Sequence, residues 1–349
     1  MEEKGKKYTV EFITKLGKYF FIGSNMILYI YDQNMNLIKE KKINWIYNII
    51  SIRESEDNLD KFEISICTRD EIKFFECQKD NINPKKELSK NLKSLYLMKR
   101  DNLNEYYICT TDNTVLTSEK TNEGIYKIFK GDKFLTKSGI KVNDSLIVFK
   151  SNKVVSKGKD KIKMYNYRNK TISDILSEDE EYSFIFSPNG LEIMGIDKEN
   201  KIKVLLCACK KYTKNQKNGI LVVNFENNNC INHFFHETNN FEVYCFCPLY
   251  KINRDIIFLN PKAATCFFFV GGFDLYKRKG VIKIYKLINE NNYCRRIEYL
   301  LDFFVLEDNN KEKFKEPVSC ITLSIIDRKL LIGCWDGNVV SINYFGQNN

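Results

Sequence analysis

The chain has 349 residues, of which 43% are hydrophobic and 13% aromatic, and it carries a formal net charge of +10. A chain of this length exceeds a typical single-core domain, so it contains either several domains or a repeat architecture that spreads its core over many units. The apolar content excludes wholesale disorder, and the presence of only 5 Pro and 16 Gly excludes collagen-like and linker-like sequences.

The N-terminal residues MEEKGKKYTVEF contain charges but no apolar segment, so they do not have the pattern of a secretory signal. The longest apolar runs, such as 266–273, are much shorter than a membrane span. We therefore expect no transmembrane segment and a location in the cytoplasm or the nucleus. Because disulfide frameworks belong to short secreted chains, we expect the 12 cysteines to be reduced and mostly buried.

Pairs of apolar segments joined by a short polar turn recur along the chain, with starts about 40 residues apart except for two longer gaps in the C-terminal half. Each pair has β-branched and aromatic residues at period two around Asn, Asp or Gly, which is typical of a β-hairpin. Asp336-Gly337 is the clearest turn, because both residue types tolerate a positive φ. The predicted hairpins are, in chain order, 18–32, 61–77, 105–119, 153–167, 191–207, 266–287 and 328–345.

Further apolar segments flank the hairpins on either side, for example 241–248 before one and 295–303 after it. Four strands per unit without a helical pattern predict an all-β fold, a single β-propeller of about seven four-stranded blades. The last unit supplies three strands, and residues 7–13 could complete it, although they would then be missing from the first. The predicted domain spans 1–349, with blades at roughly 8–45, 46–90, 91–131, 132–177, 178–238, 239–310 and 311–345.

Two segments resemble the repeats of WD-repeat-like propellers: FSPNG at 186–190 and CITLSIIDRKLLIGCWDGNVVSI at 320–342. The resemblance is divergent, because no repeat ends its third strand in Trp-Asp and no Gly-His pair opens a repeat. Proteins of this family mostly serve as subunits of larger complexes. The resemblance therefore implies a non-catalytic protein-interaction scaffold.

Two Cys-x-Cys pairs and a His-x-x-His pair raise the question of a zinc site: Cys207 and Cys209, Cys245 and Cys247, and His233 and His236. Structural zinc sites usually have two to four residues between their cysteines. On a strand, residues i and i+2 point to the same side, so both thiols of a pair enter one layer of side chains. The pattern favours core packing, and we expect neither a metal nor a cofactor.

Signatures of catalysis are missing from the sequence: no G-x-S-x-G elbow, P-loop or G-x-G-x-x-G segment occurs. The pair Gly271-Gly272 is typical of a bulge or turn at a hairpin, and the acidic run 178–181 is typical of a solvated loop. We therefore expect no catalytic residues and no enzyme activity, with a hydrolase on a propeller scaffold as the second alternative.

Positive charge is concentrated between residues 133 and 170, a segment that contains eleven Lys and Arg but only two acidic residues. Such a cluster attracts phosphates or acidic protein surfaces. The first alternative function is therefore binding of nucleic acid or of an anionic lipid such as a phosphoinositide through the basic 153–170 region. The candidate binding residues are Lys153, Lys157, Lys159, Lys161, Lys163 and Arg168, together with Lys277, Arg278 and Lys279 in a hairpin turn.

Overall fold

The structure is a computed structural model of the chain. It describes side chains in residues 9–15, 18–24, 27–42, 175–176, 182–184, 189–192, 194, 204–212, 215–226, 229–248, 267–290, 293–303, 314–324, 327 and 329–343, and elsewhere only the backbone of the elements given below. The chain divides into two compact units. We call residues 11–177 the N-terminal unit, and residues 1–10 together with 178–349 the C-terminal unit.

Short strands precede the large sheets: β1 (Glu2–Glu3) pairs with β2 (Lys6–Lys7). The next four sheets, numbered 1 to 4, have strands that follow one another in the sheet as they do in the chain, apart from the last strand of sheet 2. Sheet 1 contains β3 (Val10–Leu16), β4 (Tyr19–Ser24), β5 (Ile27–Tyr31) and β6 (Leu37–Lys42). Sheet 2 contains β7 (Ile46–Ser55), β8 (Asn58–Thr68), β9 (Glu71–Gln78), β10 (Asn81–Pro84) and β11 (Ser89–Lys90), and both β10 and β11 pair with β9.

Sheets 3 and 4 complete the N-terminal unit, and each has four strands. Sheet 3 contains β12 (Ser94–Lys99), β13 (Glu105–Thr110), β14 (Thr114–Lys120) and β15 (Tyr126–Lys133). Sheet 4 contains β16 (Ser138–Val142), β17 (Ser145–Lys150), β18 (Lys161–Asn166) and β19 (Thr171–Asp174).

The C-terminal unit contains sheets 5 to 7, and its neighbouring strands are antiparallel. Sheet 5 contains β20 (Tyr182–Phe184), β21 (Leu191–Gly195), β22 (Ile202–Lys211), β23 (Lys217–Glu226) and β24 (Asn229–Asn239), with a 3₁₀ helix at Pro188–Gly190. Sheet 6 contains β25 (Phe241–Pro248), β26 (Cys266–Asp274), β27 (Lys279–Glu290) and β28 (Tyr293–Phe303). Sheet 7 contains β29 (Val318–Ser324), β30 (Lys329–Cys334) and β31 (Val339–Asn343).

The sequence offered residues 7–13 as the strand that completes the last unit. Residues 10–16 form the first strand of sheet 1 instead. Sheet 7 has three strands within the described residues. Val10 nevertheless contacts sheet 7, because its carbonyl oxygen accepts a hydrogen bond from Ser319 Oγ at 2.6 Å. None of the helical structure in the described part of the chain has the length and hydrophobicity that a membrane crossing requires.

The core of the C-terminal unit lies between successive sheets. One apolar cluster joins sheets 5 and 6 and includes Leu206, Val222 and Phe268, while another joins sheets 6 and 7 and includes Phe269 and Ile332. Phe268 and Phe269 are neighbours on β26 and therefore point to opposite faces of sheet 6. Because both faces are covered, this strand is apolar throughout instead of alternating between apolar and polar residues.

A β-bulge recurs in the first strand of sheets 6 and 7, at Tyr244 and Ser319. The pair Gly271-Gly272, predicted at a hairpin, lies within β26 opposite the first of these bulges. A Cβ added to Gly272 would lie 1.9 Å from the carbonyl oxygen of Glu242, and one added to Gly271 would lie 2.5 Å from Cys245 Sγ. The glycines therefore permit a close approach of the bulged strand, and the hairpin turn follows at 275–278.

A candidate interaction face

Three hairpin turns lie at one end of the C-terminal unit, between β22 and β23, between β26 and β27, and between β30 and β31. Each presents a large exposed side chain, because Tyr212 is 43%, Tyr276 85% and Trp335 43% exposed. We call these three turns, with the side chains that connect them, the hairpin-tip face. Aromatic side chains in this setting bring large contact area to a surface at little entropic cost.

A chain of polar and aromatic contacts joins the three sheets beneath these turns. Lys210 Nζ lies 2.5 Å from Glu242 Oε1, and Tyr244 donates its hydroxyl hydrogen to Glu242 Oε2 at 2.7 Å. The ring of Tyr244 packs on that of Trp335 at 4.9 Å between centroids. The Trp335 carbonyl oxygen in turn accepts a hydrogen bond from Thr9 Oγ1 at 3.0 Å. The face is therefore held together by direct contacts from sheet 5 to sheet 7.

The protonation states in this network follow from its contacts. Burial alone would raise the pKa of the Glu242 carboxyl, but the hydrogen bonds from Lys210 and Tyr244 outweigh burial and leave that pKa lowered. Burial, the hydrogen bond to Glu242 and the charge of that carboxylate all raise the pKa of Tyr244. Glu242 is consequently ionised and Tyr244 neutral at physiological pH, so the pair stays hydrogen-bonded.

The turn between β26 and β27 presents the most exposed aromatic residue of the face. Asp274 is buried and uses Oδ1 to accept hydrogen bonds from the backbone N–H groups of Tyr276, at 3.0 Å, and Lys277, at 2.9 Å. Lys277 Nζ forms an ion pair with Asp302 at 3.1 Å, and this hydrogen bond raises the pKa of Lys277. Arg278 follows with a φ of 52° and is exposed. Asp274 thus shapes the turn so that Tyr276 projects outward.

The predicted basic residues fall into three groups. Lys277 and Arg278 belong to the turn just described, and Lys279 is the first residue of β27. Lys161 and Lys163 lie on β18, where only the backbone is described. The remaining candidates lie outside the described residues, so binding of nucleic acid or anionic lipid through them stays a prediction: Lys153, Lys157, Lys159 and Arg168.

The Cys-x-Cys pairs lie in the core. Cys207, Cys209, Cys245 and Cys247 are all at most 6% exposed. Burial raises the pKa of the Cys209 thiol, which keeps it neutral and unreactive. In the described residues, no three His, Cys, Asp or Glu side chains come together in a way that could hold a metal ion.

The histidine pair lies on β24, the last strand of sheet 5. The ring of His236 meets that of Tyr285 edge to face, with 5.6 Å between centroids. Burial lowers the pKa of His236, so this side chain is neutral and packs as an aromatic group.

The aromatic residues of the face are the part that the sequence reasoning missed. It selected the charges at 277–279 and overlooked Tyr276 directly before them. A large apolar residue within a polar turn is the available signal, because a turn residue has no sheet neighbours to bury it. Trp335, directly before the predicted turn at Asp336-Gly337, was not selected either, and its partner Tyr244 lies in a strand of ordinary apolar pattern.

Comparison with known proteins identifies the fold. No protein-family model and no curated protein sequence matches the chain. Three solved structures are similar to nearly all of the chain, each at 8% sequence identity. Kuenenia stuttgartiensis hydrazine synthase has a TM-score of 0.60, with 97% of this chain and 96% of that chain covered. The TM-score is 0.57 for U3-55K, with 95% of this chain and 90% of that chain covered, and 0.56 for the WD40 repeats of RRP9, with 95% and 88% covered. The chain therefore has the predicted fold, an all-β propeller, and its structure is similar to that of the WD40 repeats of RRP9.

Proposed function

We propose that this chain is a non-catalytic protein-interaction scaffold, a subunit of a larger complex, that docks a protein partner on the hairpin-tip face. The observation that carries the proposal is the presence of Tyr212, Tyr276 and Trp335 as exposed side chains on the turns of three successive sheets. Tyr and Trp are the residue types most enriched in the energetically important centres of protein interfaces.

The rigidity of the face supports the same function. The contacts among Lys210, Glu242, Tyr244 and Trp335 fix the positions of side chains before any partner arrives. Preorganised side chains lose little entropy on binding, so more of the contact energy appears as affinity. The solved structure of RRP9 WD40 repeats supports the scaffold function by analogy of fold alone.

We further propose that sheets 1 to 7 are the blades of one propeller domain spanning residues 1–349, and that the protein works in the cytoplasm or the nucleus. The recurrence of one strand order from sheet to sheet supports a repeated blade. The shared bulge in the first strands of sheets 6 and 7 supports it as well.

The test is affinity capture from the native cell, with quantitative mass spectrometry of the proteins recovered. The variant combines Tyr212→Ser, Tyr276→Ser and Trp335→Ser, and we expect the recovered partner to fall at least about tenfold, because truncating even one or two aromatic residues at important positions of an interface costs that much affinity. The control combines Leu37→Ser and Ile231→Ser, which remove exposed apolar side chains from outer strands. A wild-type chain that stays alone at physiological concentration, or equal losses in both variants, would contradict the proposal.

A further inference from the structure

The outer strand of sheet 6 has a surface that the hairpin-tip face does not explain. β28 is 11 residues long and pairs only with β27, so the backbone groups on its other edge have no strand partner among the described residues. Tyr299, Leu300 and Leu301 are consecutive and are 47%, 37% and 49% exposed. An exposed edge with apolar residues invites pairing with another strand.

Other outer strands in the described residues lack such a run. In β6 the exposed Leu37 is followed by Lys39, Glu40 and further lysines, which are the charges that protect sheet edges. In β24 the one large exposed apolar residue is Ile231. The three-residue run is therefore a specific feature of β28.

Two bulges explain why neighbouring residues of β28 are exposed together. The pairing with β27 shifts register at Arg295 and again at Leu300, so the usual alternation of inward and outward side chains is interrupted at both places. Between the two bulges, residues 296–299 pair regularly with β27. Bulges twist an edge and so disfavour pairing with a long sheet edge, which favours a short extended segment as the partner.

The charges beside this apolar run favour an acidic partner. Arg295 and Arg296 are exposed and have no ion-pair partner among the described residues, and Glu298 is the one acid between them and the run. Asp302 is already paired with Lys277 at 3.1 Å. The chain as a whole carries +10, which disfavours a second copy of itself on this edge.

Side chains from sheets 5 and 6 hold β28 in place. The buried side chain of Asn224 accepts a hydrogen bond from the Cys294 N–H at 3.0 Å and donates one to the Cys294 carbonyl oxygen at 2.9 Å. Tyr293 donates its hydroxyl hydrogen to Glu226 at 2.6 Å. The rings of Tyr299 and Tyr285 meet at 5.8 Å between centroids. The edge is thus fixed before a partner binds.

We propose that β28 binds an extended acidic segment of a protein partner as a fifth strand of sheet 6. Backbone hydrogen bonds along 296–299 supply affinity, acidic side chains lie near Arg295 and Arg296, and apolar side chains lie over Tyr299 to Leu301. This surface uses none of Tyr212, Tyr276 and Trp335, so it adds a second docking site to the scaffold.

The test measures binding of a synthetic peptide to the full chain by fluorescence anisotropy. The probe is an eight-residue peptide with two aspartates at one end and alternating valine and threonine in the rest. The same peptide with alternate backbone nitrogens methylated is the control ligand, because it cannot form a ladder of hydrogen bonds. We expect the unmodified probe to bind about tenfold more tightly or better, and equal affinities would overturn the proposal.

Variants of the chain locate the site. Arg295→Glu with Arg296→Glu is expected to weaken the acidic probe about tenfold and to strengthen a probe with lysines in place of the aspartates, a reversal that a merely unfolded variant would not produce. Leu301→Lys is expected to abolish binding, whereas Leu37→Lys, a matched change on β6, leaves it unchanged. Binding lost instead with Tyr276→Ser would assign the peptide to the hairpin-tip face, and a concentration-dependent dimer broken by Leu301→Lys would show a second copy on the edge. Either result would overturn this proposal and leave the scaffold function to its own test.

Discussion

At the scale of single residues, the Glu242 carboxylate connects sheet 5 to sheet 6. It accepts hydrogen bonds from Lys210 at 2.5 Å and from Tyr244 at 2.7 Å. The side chains of Lys210 and Glu242 are 28% and 17% exposed, so water screens their interaction only in part. An interaction of this kind stabilises more than a fully exposed ion pair does.

Glu242→Gln is expected to lower the free energy of unfolding by about 1–2 kcal/mol near neutral pH, because hydrogen bonds to a charged group are lost. The pKa of Glu242 is lowered in the folded chain from its ordinary value of 4.5, so its contribution is present above that value. It is lost as the pH falls below 4.5 through the folded-state pKa. Urea denaturation at a series of pH values should show that the difference in unfolding free energy between the wild-type chain and Glu242→Gln disappears as the pH falls below 4.5.

Glu237→Gln is the matched control for that measurement. Glu237 pairs with Lys217 at 2.6 Å, but their side chains are 38% and 42% exposed. We expect a loss of less than about 0.5 kcal/mol, because exposed ion pairs contribute little. Equal losses of unfolding free energy in the two variants would show that the burial of Glu242 does not increase its contribution to stability.

At the scale of elements, the turn at Asp336-Gly337 shows how far local sequence reasoning reaches. The pair was predicted to form a tight hairpin turn with positive φ, and the turn between β30 and β31 lies there. Only Gly337 has a positive φ, 82°, and its N–H donates to the Cys334 carbonyl oxygen at 3.1 Å. Asp336 instead accepts a hydrogen bond from the Asn338 N–H at 3.1 Å.

Two substitutions at positions with positive φ, expected to change stability in different ways, test this account of the turns. Gly337→Ala is expected to lower the free energy of unfolding by about 1 kcal/mol, because a Cβ is disfavoured at positive φ. Met35 lies in the turn before β6 with a φ of 66°, so Met35→Gly is expected to be neutral or to raise stability. Thermal unfolding of both variants measures the effects, and a stabilising Gly337→Ala would refute the assignment of backbone strain.

At the scale of the whole molecule, the sheets repeat one plan. The second strands of sheets 1, 6 and 7 contain Gly23, Gly271 and Gly333, and a Cβ added to any of them would collide with a neighbouring side chain. These three glycines therefore permit the close approach of the preceding strand in each of these sheets.

The proposed single propeller domain makes a prediction about cooperativity. The chain has two Trp residues: Trp45 belongs to the N-terminal unit and Trp335 to the C-terminal unit. Trp45→Phe and Trp335→Phe therefore leave one fluorescent reporter in each unit. For one domain, we expect the urea transitions of both variants to have the same midpoint. The effect of each substitution on overall stability is measured by circular dichroism and subtracted first. Clearly separated midpoints would show two independently unfolding units.

The sequence by itself determined the class of fold, because strand periodicity and turn residues are local requirements that repeat from sheet to sheet. It also predicted that the Cys-x-Cys pairs are buried, since residues i and i+2 on a strand share a side. Only the tertiary structure decided which residues meet: Tyr244 lies against Trp335 and Glu242 joins Lys210, although each pair is far apart in the chain. Such contacts depend on how the sheets pack against one another, which leaves no mark in the local sequence pattern.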